Sequence, residues 1–304
     1  MPIGVDYGGT KIEAIAIAPD GRELCRRRVA TPRHDYSGSL DAIARIVAEV
    51  RELSGLHDEP VGIGIPGAVD ADGRVFNGNS TWLVGQPLAA DLQERMGCVV
   101  RVANDANCFV LSEAIDGAGR GAKIVFGAIL GTGVGGGLVI NGTMVEGASG
   151  MAGEWGHSPM PIGDIGEFPG PQCFCGQHGC VEQWLAGPGL EADYARDCAI
   201  PSGTGPRVQE IVARAQQGEA QAEAALQRHR RRLARALASV VNVLDPDVIV
   251  LGGGVSNLPG LAEELPELMR PYIYSTHSAV TVRRAVYGDS SGVRGAARIA
   301  DGEV

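Results

Sequence analysis

The tightest constraint on this chain is a cluster of metal-type ligands in its second half. His157 is followed by fifteen residues and then by Cys173-Phe174-Cys175-Gly176-Gln177-His178-Gly179-Cys180. One histidine and three closely spaced cysteines make a closed tetrahedral Cys3His set of the kind that binds Zn2+. Such a site folds a loop that otherwise has little core to bury. His178 is the competing ligand, but it lies two residues before Cys180 and is less well placed. Four protein ligands leave no position for water, so the metal is expected to be structural rather than hydrolytic. Seven cysteines are an odd set, and three fall within eight positions. In an unexported chain that clustering reads as metal binding rather than a disulfide frame.

At 304 residues the chain can form two ordinary domains or one large one. Its 45 glycines gather at the ends of apolar runs, which suggests tight turns and close backbone approach to ligands. The net charge of −10 argues against DNA, RNA or an anionic membrane as the main partner. No apolar run approaches the roughly 18–20 residues that span a bilayer. The start, Met1-Pro2-Ile3-Gly4-Val5, lacks the basic region and apolar stretch of a secretory signal, so the cytoplasm is the expected compartment.

Periodicity predicts strands at Ile3–Asp6, Lys11–Ala18 and Glu23–Ala30, with Pro19-Asp20-Gly21 turning between the second and third. Leu40, Ile43, Ile46, Val47, Val50 and Leu53 fall at helical spacing, with Ser39 as the expected N-cap. Strands follow at Pro60–Ile65 and Val99–Val102, the latter ending at Asn104-Asp105 before a helix over Ala106–Ile115. At Ile124–Leu130 the strand–turn–strand opening recurs, and Asn141-Gly142 joins Gly137–Ile140 to Thr143–Val145 as a hairpin. Two related halves are suggested. Residues 146–184 read as irregular, 207–243 as helix broken near Gly218, Val248–Leu251 as a buried strand, and Ser290–Ala300 as a last helix. The class is α/β with two domains.

Three glycine clusters sit at strand ends, where α/β folds place ligands. Asp6-Tyr7-Gly8-Gly9-Thr10-Lys11 offers backbone N–H groups, a hydroxyl and a cation to phosphate oxygens. Gly131-Thr132-Gly133-Val134-Gly135-Gly136-Gly137 contains G-x-G-x-x-G, yet a strand and hairpin follow it rather than the helix a dinucleotide fold requires. A second phosphate-holding hairpin fits better. Gly252-Gly253-Gly254 is the third cluster, and no Walker-type P-loop occurs. Asp105, at a strand-to-helix junction, reads either as a helix cap or as the single positioned base that phosphoryl transfer needs.

Asp6–Lys11, Gly131–Gly137, Gly153-Glu154-Trp155-Gly156-His157 and the C-x-C-G-x-x-G-C segment together resemble the ROK family of bacterial sugar kinases and sugar-responsive repressors, over Met1 to Ala300. The resemblance implies an actin-like, hexokinase-type ATPase fold, with sugar and ATP in the cleft between two α/β domains. The expected division is residues 1–107, joined by the C-terminal helix 290–304, and residues 108–289. Asp105 matches the family's catalytic base. Asn104, Glu154, His157 and Glu182 match positions that hold sugar hydroxyls, and the zinc ligands match His157, Cys173, Cys175 and Cys180. Gly8, Gly9, Thr10, Lys11, Gly131, Thr132, Gly133, Gly135, Gly253 and Gly254 are expected on ATP, and Asp6 near Mg2+. The family makes a homodimer the expected assembly.

Asn79-Ser80-Thr81-Trp82-Leu83, Gly153–His157 followed by Pro159 and Pro161, and Gly288–Gly295 resemble the bacterial fructokinase branch, which puts Thr81 on the sugar and makes D-fructose, phosphorylated at its 6-hydroxyl, the expected substrate. N-acetylglucosamine, glucose and mannose kinases of the same family are the alternatives. Two places depart from the family pattern. Tyr7 stands where an aliphatic residue is usual, and residues 162–172 match none of its motifs. A sugar-sensing repressor would need a helix-turn-helix ahead of the first strand, and that strand is expected to start at Ile3. A general actin-like ATPase or chaperone would have no purpose for the zinc segment or for Glu154–His157.

Overall fold

The structure, a computed structural model, describes residues 2–78, 80–161, 163, 165–201, 203–300 and 302. Asn79, Ile162 and Asp164, which belong to segments singled out above, lie outside the described residues, as do three at the end of the expected C-terminal helix. The chain divides into two compact units. One holds residues 1–123, 137–153 and 286–304, the other 124–136 and 154–285.

The first unit begins with strands β1 (Ile3–Tyr7), β2 (Lys11–Ile17) and β3 (Glu23–Ala30), then helix α1 (Tyr36–Ser54). The apolar stripe of α1 is buried from Leu40 to Val50, while Leu53 is exposed in its last turn. The expected cap, Ser39, is instead a first-turn residue whose hydroxyl bonds back to the Asp35 carbonyl at 2.7 Å. Asp35 is the cap, because its extended backbone lets the carboxylate accept the Gly38 amide at 2.9 Å. Strand β4 (Val61–Ile65), the small hairpin β5 (Ala68–Val69) and β6 (Val75–Phe76), helix α2 (Leu88–Met96), strand β7 (Val100–Asn104) and helix α3 (Asp105–Ile115) follow. The sheet order is β3-β2-β1-β4-β7, with β1, β4 and β7 parallel.

The second sheet opens with β8 (Ile124–Leu130), β9 (Val134–Ile140) and β10 (Thr143–Met144). Asn141 and Gly142 both take positive φ, 52° and 80°, as the expected two-residue hairpin requires. Helices α4 (Val181–Leu185), α5 (Gly187–Asp197), α6 (Val208–Gln216) and α7 (Ala220–Leu244), strand β11 (Val248–Gly252), helix α8 (Leu261–Met269), strand β12 (Thr281–Arg284) and helix α9 (Ser291–Ala300) complete the chain. This sheet runs β10-β9-β8-β11-β12. Counted within each sheet, both orders are third, second, first, fourth, fifth strand, which is the signature of two related halves.

Helix α9 sits on the first sheet at backbone contact. A Cβ added to Gly62 would fall 1.8 Å from the Ala296 carbonyl oxygen, and one on Gly295 would fall 1.7 Å from that of Cys108. Only glycine permits that approach. The buried Glu113 of α3 tightens it by accepting the amides of Ala118 (2.8 Å), Val286 (3.0 Å) and Tyr287 (3.1 Å) and the Ser291 hydroxyl (2.7 Å). These contacts place α3 in the first unit, which therefore runs on to Lys123 rather than ending at the expected residue 107. No helix among the described residues is long and apolar enough to cross a membrane.

Candidate functional site

Parallel strands β1, β4 and β7 bring their carboxyl ends to one edge of the first sheet, and the candidate phosphate and base residues follow two of them. After β1, the turn at Gly8–Lys11 is closed by the Gly8 amide on the Lys11 carbonyl at 3.0 Å. Thr31 holds it from behind, its hydroxyl donating to the Gly8 carbonyl at 2.7 Å. Gly9 and Thr10 remain exposed. The Lys11 ammonium lies 3.8 Å from Glu13, a buried acid also paired with Arg26 and Arg28. Burial first, and then the charge of Glu13, raise the pKa of Asp6 to about 6, against the pull of Lys11 and Arg28. Glu13 escaped the sequence reading, although its place two residues after Lys11 puts both on one face of β2.

At the end of β7 the two readings of Asp105 resolve. Asn104 is the N-cap of α3, its Oδ1 accepting the amides of Ala106 (2.9 Å) and Asn107 (3.2 Å). Its Nδ2 donates to the Gly67 carbonyl at 3.0 Å. Both acceptor positions of the side chain serve the helix, so at most one N–H remains for a sugar hydroxyl. Asp105 is therefore not the cap but the first helical residue, with Oδ1 accepting the Ala106 amide at 2.8 Å. The fully buried Cys108 one turn on lies in the field of both acids, and its pKa is raised by burial and then by Asp105 and Asp6. Thr81 is exposed in a turn closed by the Leu83 amide on the Ser80 carbonyl at 2.9 Å.

In the second unit the ligand set assembles as the spacing requires. The donor atoms of His157, Cys173, Cys175 and Cys180 all lie within 4.8 Å of one another. The Cys173 sulfur is 3.6 Å from His157 Nδ1, and the Cys175 and Cys180 sulfurs are 3.6 Å apart. Tetrahedral zinc with ordinary Zn–S and Zn–N bonds separates its ligands by roughly 3.5–3.8 Å, so the four residues fit the ion. Strand-like bridging of Pro159 with Cys180 carries His157 to the last cysteine. His178 turns away, its Nδ1 lying 3.3 Å from the Gly170 carbonyl. The exposed Cys175 thiol has its pKa lowered first by the Gln177 backbone N–H, which favours the thiolate a metal needs.

Glu154, His157 and Glu182 come together beside this set. Burial raises the pKa of Glu154, His157 opposes the rise, and the charge of Glu182 adds to it. Because His157 turns Nδ1 to the sulfurs, its Nε2 is the nitrogen left for another ligand. Two side chains also pin the glycine turn between β8 and β9. Glu182 Oε2 accepts the Val134 amide at 2.9 Å, and the Trp155 indole donates to the Gly135 carbonyl at 2.8 Å. Within that turn, Gly131 donates to the Gly133 carbonyl at 2.9 Å and Thr132 is exposed. Gly253 holds φ at 79°, and a Cβ there would fall 2.4 Å from the Leu130 carbonyl oxygen, so its cluster abuts the start of the same turn. Gly254 opens the short 3-10 turn that follows.

A cavity of about 510 Å3 opens on α5 and the loop before α6, lined by Pro188, Glu191, Ala195, Ile200 and Arg207 among others. The Gly187 amide at the head of α5 donates to the Gly131 carbonyl at 2.8 Å, so the cavity adjoins the glycine turn. No motif announced it, because its walls come from a helix face and a loop. Within residues 165–172, Glu167 accepts from Arg232 (2.9 Å) and Arg235 (2.5 Å) of α7.

Comparison with known proteins places these features in a family. The ROK family profile matches residues 2–303. The N-acetyl-D-glucosamine kinase of Escherichia coli O139:H28 is 41% identical over 303 residues, covering 98% of each chain. The crystal structure of a ROK hexokinase from Thermus thermophilus superposes with a TM-score of 0.86 at 34% identity, covering 97% of this chain and 96% of that one. A ROK family glucokinase from Streptomyces griseus, in complex with glucose and AMPPNP, gives 0.80 at 33% identity over 99% of both chains.

Proposed function

The chain belongs to the ROK family, with its actin-like ATPase fold, and from that premise we propose that it phosphorylates N-acetyl-D-glucosamine at the 6-hydroxyl with ATP. The reaction class is supported by Asp105, the first residue of α3 at the carboxyl end of β7, where Asn104 takes the N-cap position. The sugar is supported by 41% identity to an N-acetyl-D-glucosamine kinase over the whole chain, which outweighs the short segments that favour fructose. Fructose therefore becomes the second reading, resting on Ser80–Leu83, Gly153–His157 with Pro159 and Pro161, and Gly288–Gly295.

Asp105 accepts a hydrogen bond from the 6-hydroxyl and takes its proton as the γ-phosphoryl group departs. A carboxylate of ordinary pKa near 4 is too weak to ionise an alcohol in advance, so it acts by orientation and late in the transfer. Backbone amides of Gly9, Thr10, Thr132 and Gly133, together with Lys11, receive phosphate oxygens, the Gly8 and Gly131 amides being used to close their own turns, and the cavity on α5 takes the nucleoside. When bound, Mg2+ would neutralise charge on the β- and γ-phosphates, with Asp6 near it. Glu154, Glu182, the remaining N–H of Asn104, the Thr81 hydroxyl and His157 Nε2 bind sugar hydroxyls. His157 Nδ1 and the sulfurs of Cys173, Cys175 and Cys180 would hold Zn2+, whose closed shell supplies cross-linking rather than hydrolysis.

The test is sugar-dependent ADP release compared by kcat/KM across N-acetyl-D-glucosamine, glucose, mannose and fructose. The highest value is expected for N-acetyl-D-glucosamine. A highest value for fructose would restore the second reading, and no dependence on any hexose would exclude a sugar kinase.

A further inference from the structure

β1 hands successive side chains to opposite faces, so Tyr7 points away from Asp6 into the core. Tyr7 is fully buried, at a position where the family pattern usually has an aliphatic side chain. A buried hydroxyl needs partners, and this one has two. The Trp82 indole N–H donates to Tyr7 Oη at 2.8 Å, and Ser39 Oγ lies 2.8 Å from the same oxygen. The Asp35 carbonyl, 2.7 Å from Ser39 Oγ, can only accept. Ser39 therefore donates to Asp35, Tyr7 donates to Ser39, and Trp82 donates to Tyr7. The chain of bonds has a single direction. Burial raises the Tyr7 pKa further, which keeps the proton on its oxygen. His34 packs edge-on against the Trp82 ring, with centroids 5.0 Å apart.

The consequence is mechanical. Tyr7 immediately precedes Gly8, so one hydroxyl ties the phosphate turn's own strand to the turn that carries Thr81. That turn is compact, with the Leu83 amide on Ser80 at 2.9 Å and the Val84 amide on Thr81 at 3.3 Å. An aliphatic residue at position 7 would fill the space but could not hold the indole N–H. We propose that Tyr7 is a positioning residue for the hexose: its hydroxyl fixes Trp82, and thereby sets the Thr81 turn in register with the phosphate turn. This rests on the reading of Thr81 as a sugar contact.

The experiment measures hexose KM, ATP KM, kcat and Tm for Tyr7→Phe, Trp82→Phe, the double variant and Thr81→Ala, with N-acetyl-D-glucosamine as the sugar. Tyr7→Phe is expected to raise hexose KM about tenfold, the scale of one buried hydrogen bond, while ATP KM and kcat change far less. Trp82→Phe removes the same bond from its other end, so it should do likewise, and it stands in should Tyr7→Phe fold poorly. The double variant should be no worse than the worse single one. A lowered Tm with unchanged hexose KM, or two effects that multiply, would overturn the proposal. If Thr81→Ala raises hexose KM and Tyr7→Phe does not, the proposal alone falls. If Thr81→Ala leaves hexose KM unchanged, Thr81 is no sugar contact and the proposal falls with that reading.

Discussion

Glu182 accepts the Val134 amide hydrogen at 2.9 Å across 48 residues of sequence, two residues after Cys180 closes the Cys3His set. Trp155, two residues before His157, holds the Gly135 carbonyl at 2.8 Å. Both ends of the ligand set are thus fastened to the glycine turn proposed to hold ATP phosphates. Removal of Zn2+ by a strong chelator should therefore raise the KM for ATP as well as for the sugar, together with a fall in Tm. Metal analysis alongside kinetics checks this. A metal-free protein with unchanged ATP KM would show that the set and the turn are uncoupled.

Trp155→Phe keeps the edge-on packing against Phe126 but removes the indole donor. It should raise ATP KM several-fold, by roughly 1 kcal/mol of lost hydrogen bonding, with zinc content unchanged. A larger effect on hexose KM than on ATP KM would contradict the role given to the Gly135 contact.

Asp6 gives a pH dependence of definite sign. Its pKa in the folded chain is about 6, above the ordinary carboxylate value, so the native state binds that proton more tightly. Its contribution is fully present below about pH 4 and is lost as pH rises toward 6, at most about 3 kcal/mol in all. Without nucleotide or Mg2+, Asp6→Asn should therefore raise Tm at pH 7.5 and change it little near pH 4. Equal shifts at both values would mean that the buried charge is not the cause.

Gly295→Ala would set a methyl group 1.7 Å from the Cys108 carbonyl oxygen, where no side chain can give way. Helix α9 would have to lift from α3, and a loss of about 3 kcal/mol or more is expected in urea denaturation. A loss under about 1 kcal/mol would mean the helices adjust freely.

Much of this was legible in sequence because the signals are local. The ligand spacing from His157 to Cys180 and the Asn141-Gly142 hairpin each depend on a few neighbouring residues. The three opening strands announced themselves by alternation and turn residues. Other features depend on the tertiary frame. Asn104 rather than Asp105 caps α3 because of backbone angles that composition does not encode. Helix α2 buries only Leu88 and Leu92, too few to mark a stripe. The ties from Glu182 to Val134 and from Trp82 to Tyr7 join residues 48 and 75 positions apart, beyond the reach of any local pattern. Tyr7 itself could be flagged as unusual, but its partners could not be named.

Asp105 is proposed as the base of an ATP-dependent sugar kinase. The most direct test pairs turnover and binding in Asp105→Asn, measuring ADP release with N-acetyl-D-glucosamine and, by calorimetry, affinity for the same sugar. Turnover should fall on the order of a thousandfold while affinity changes only a few-fold. Turnover near that of the unmodified protein would remove Asp105 from the role of base.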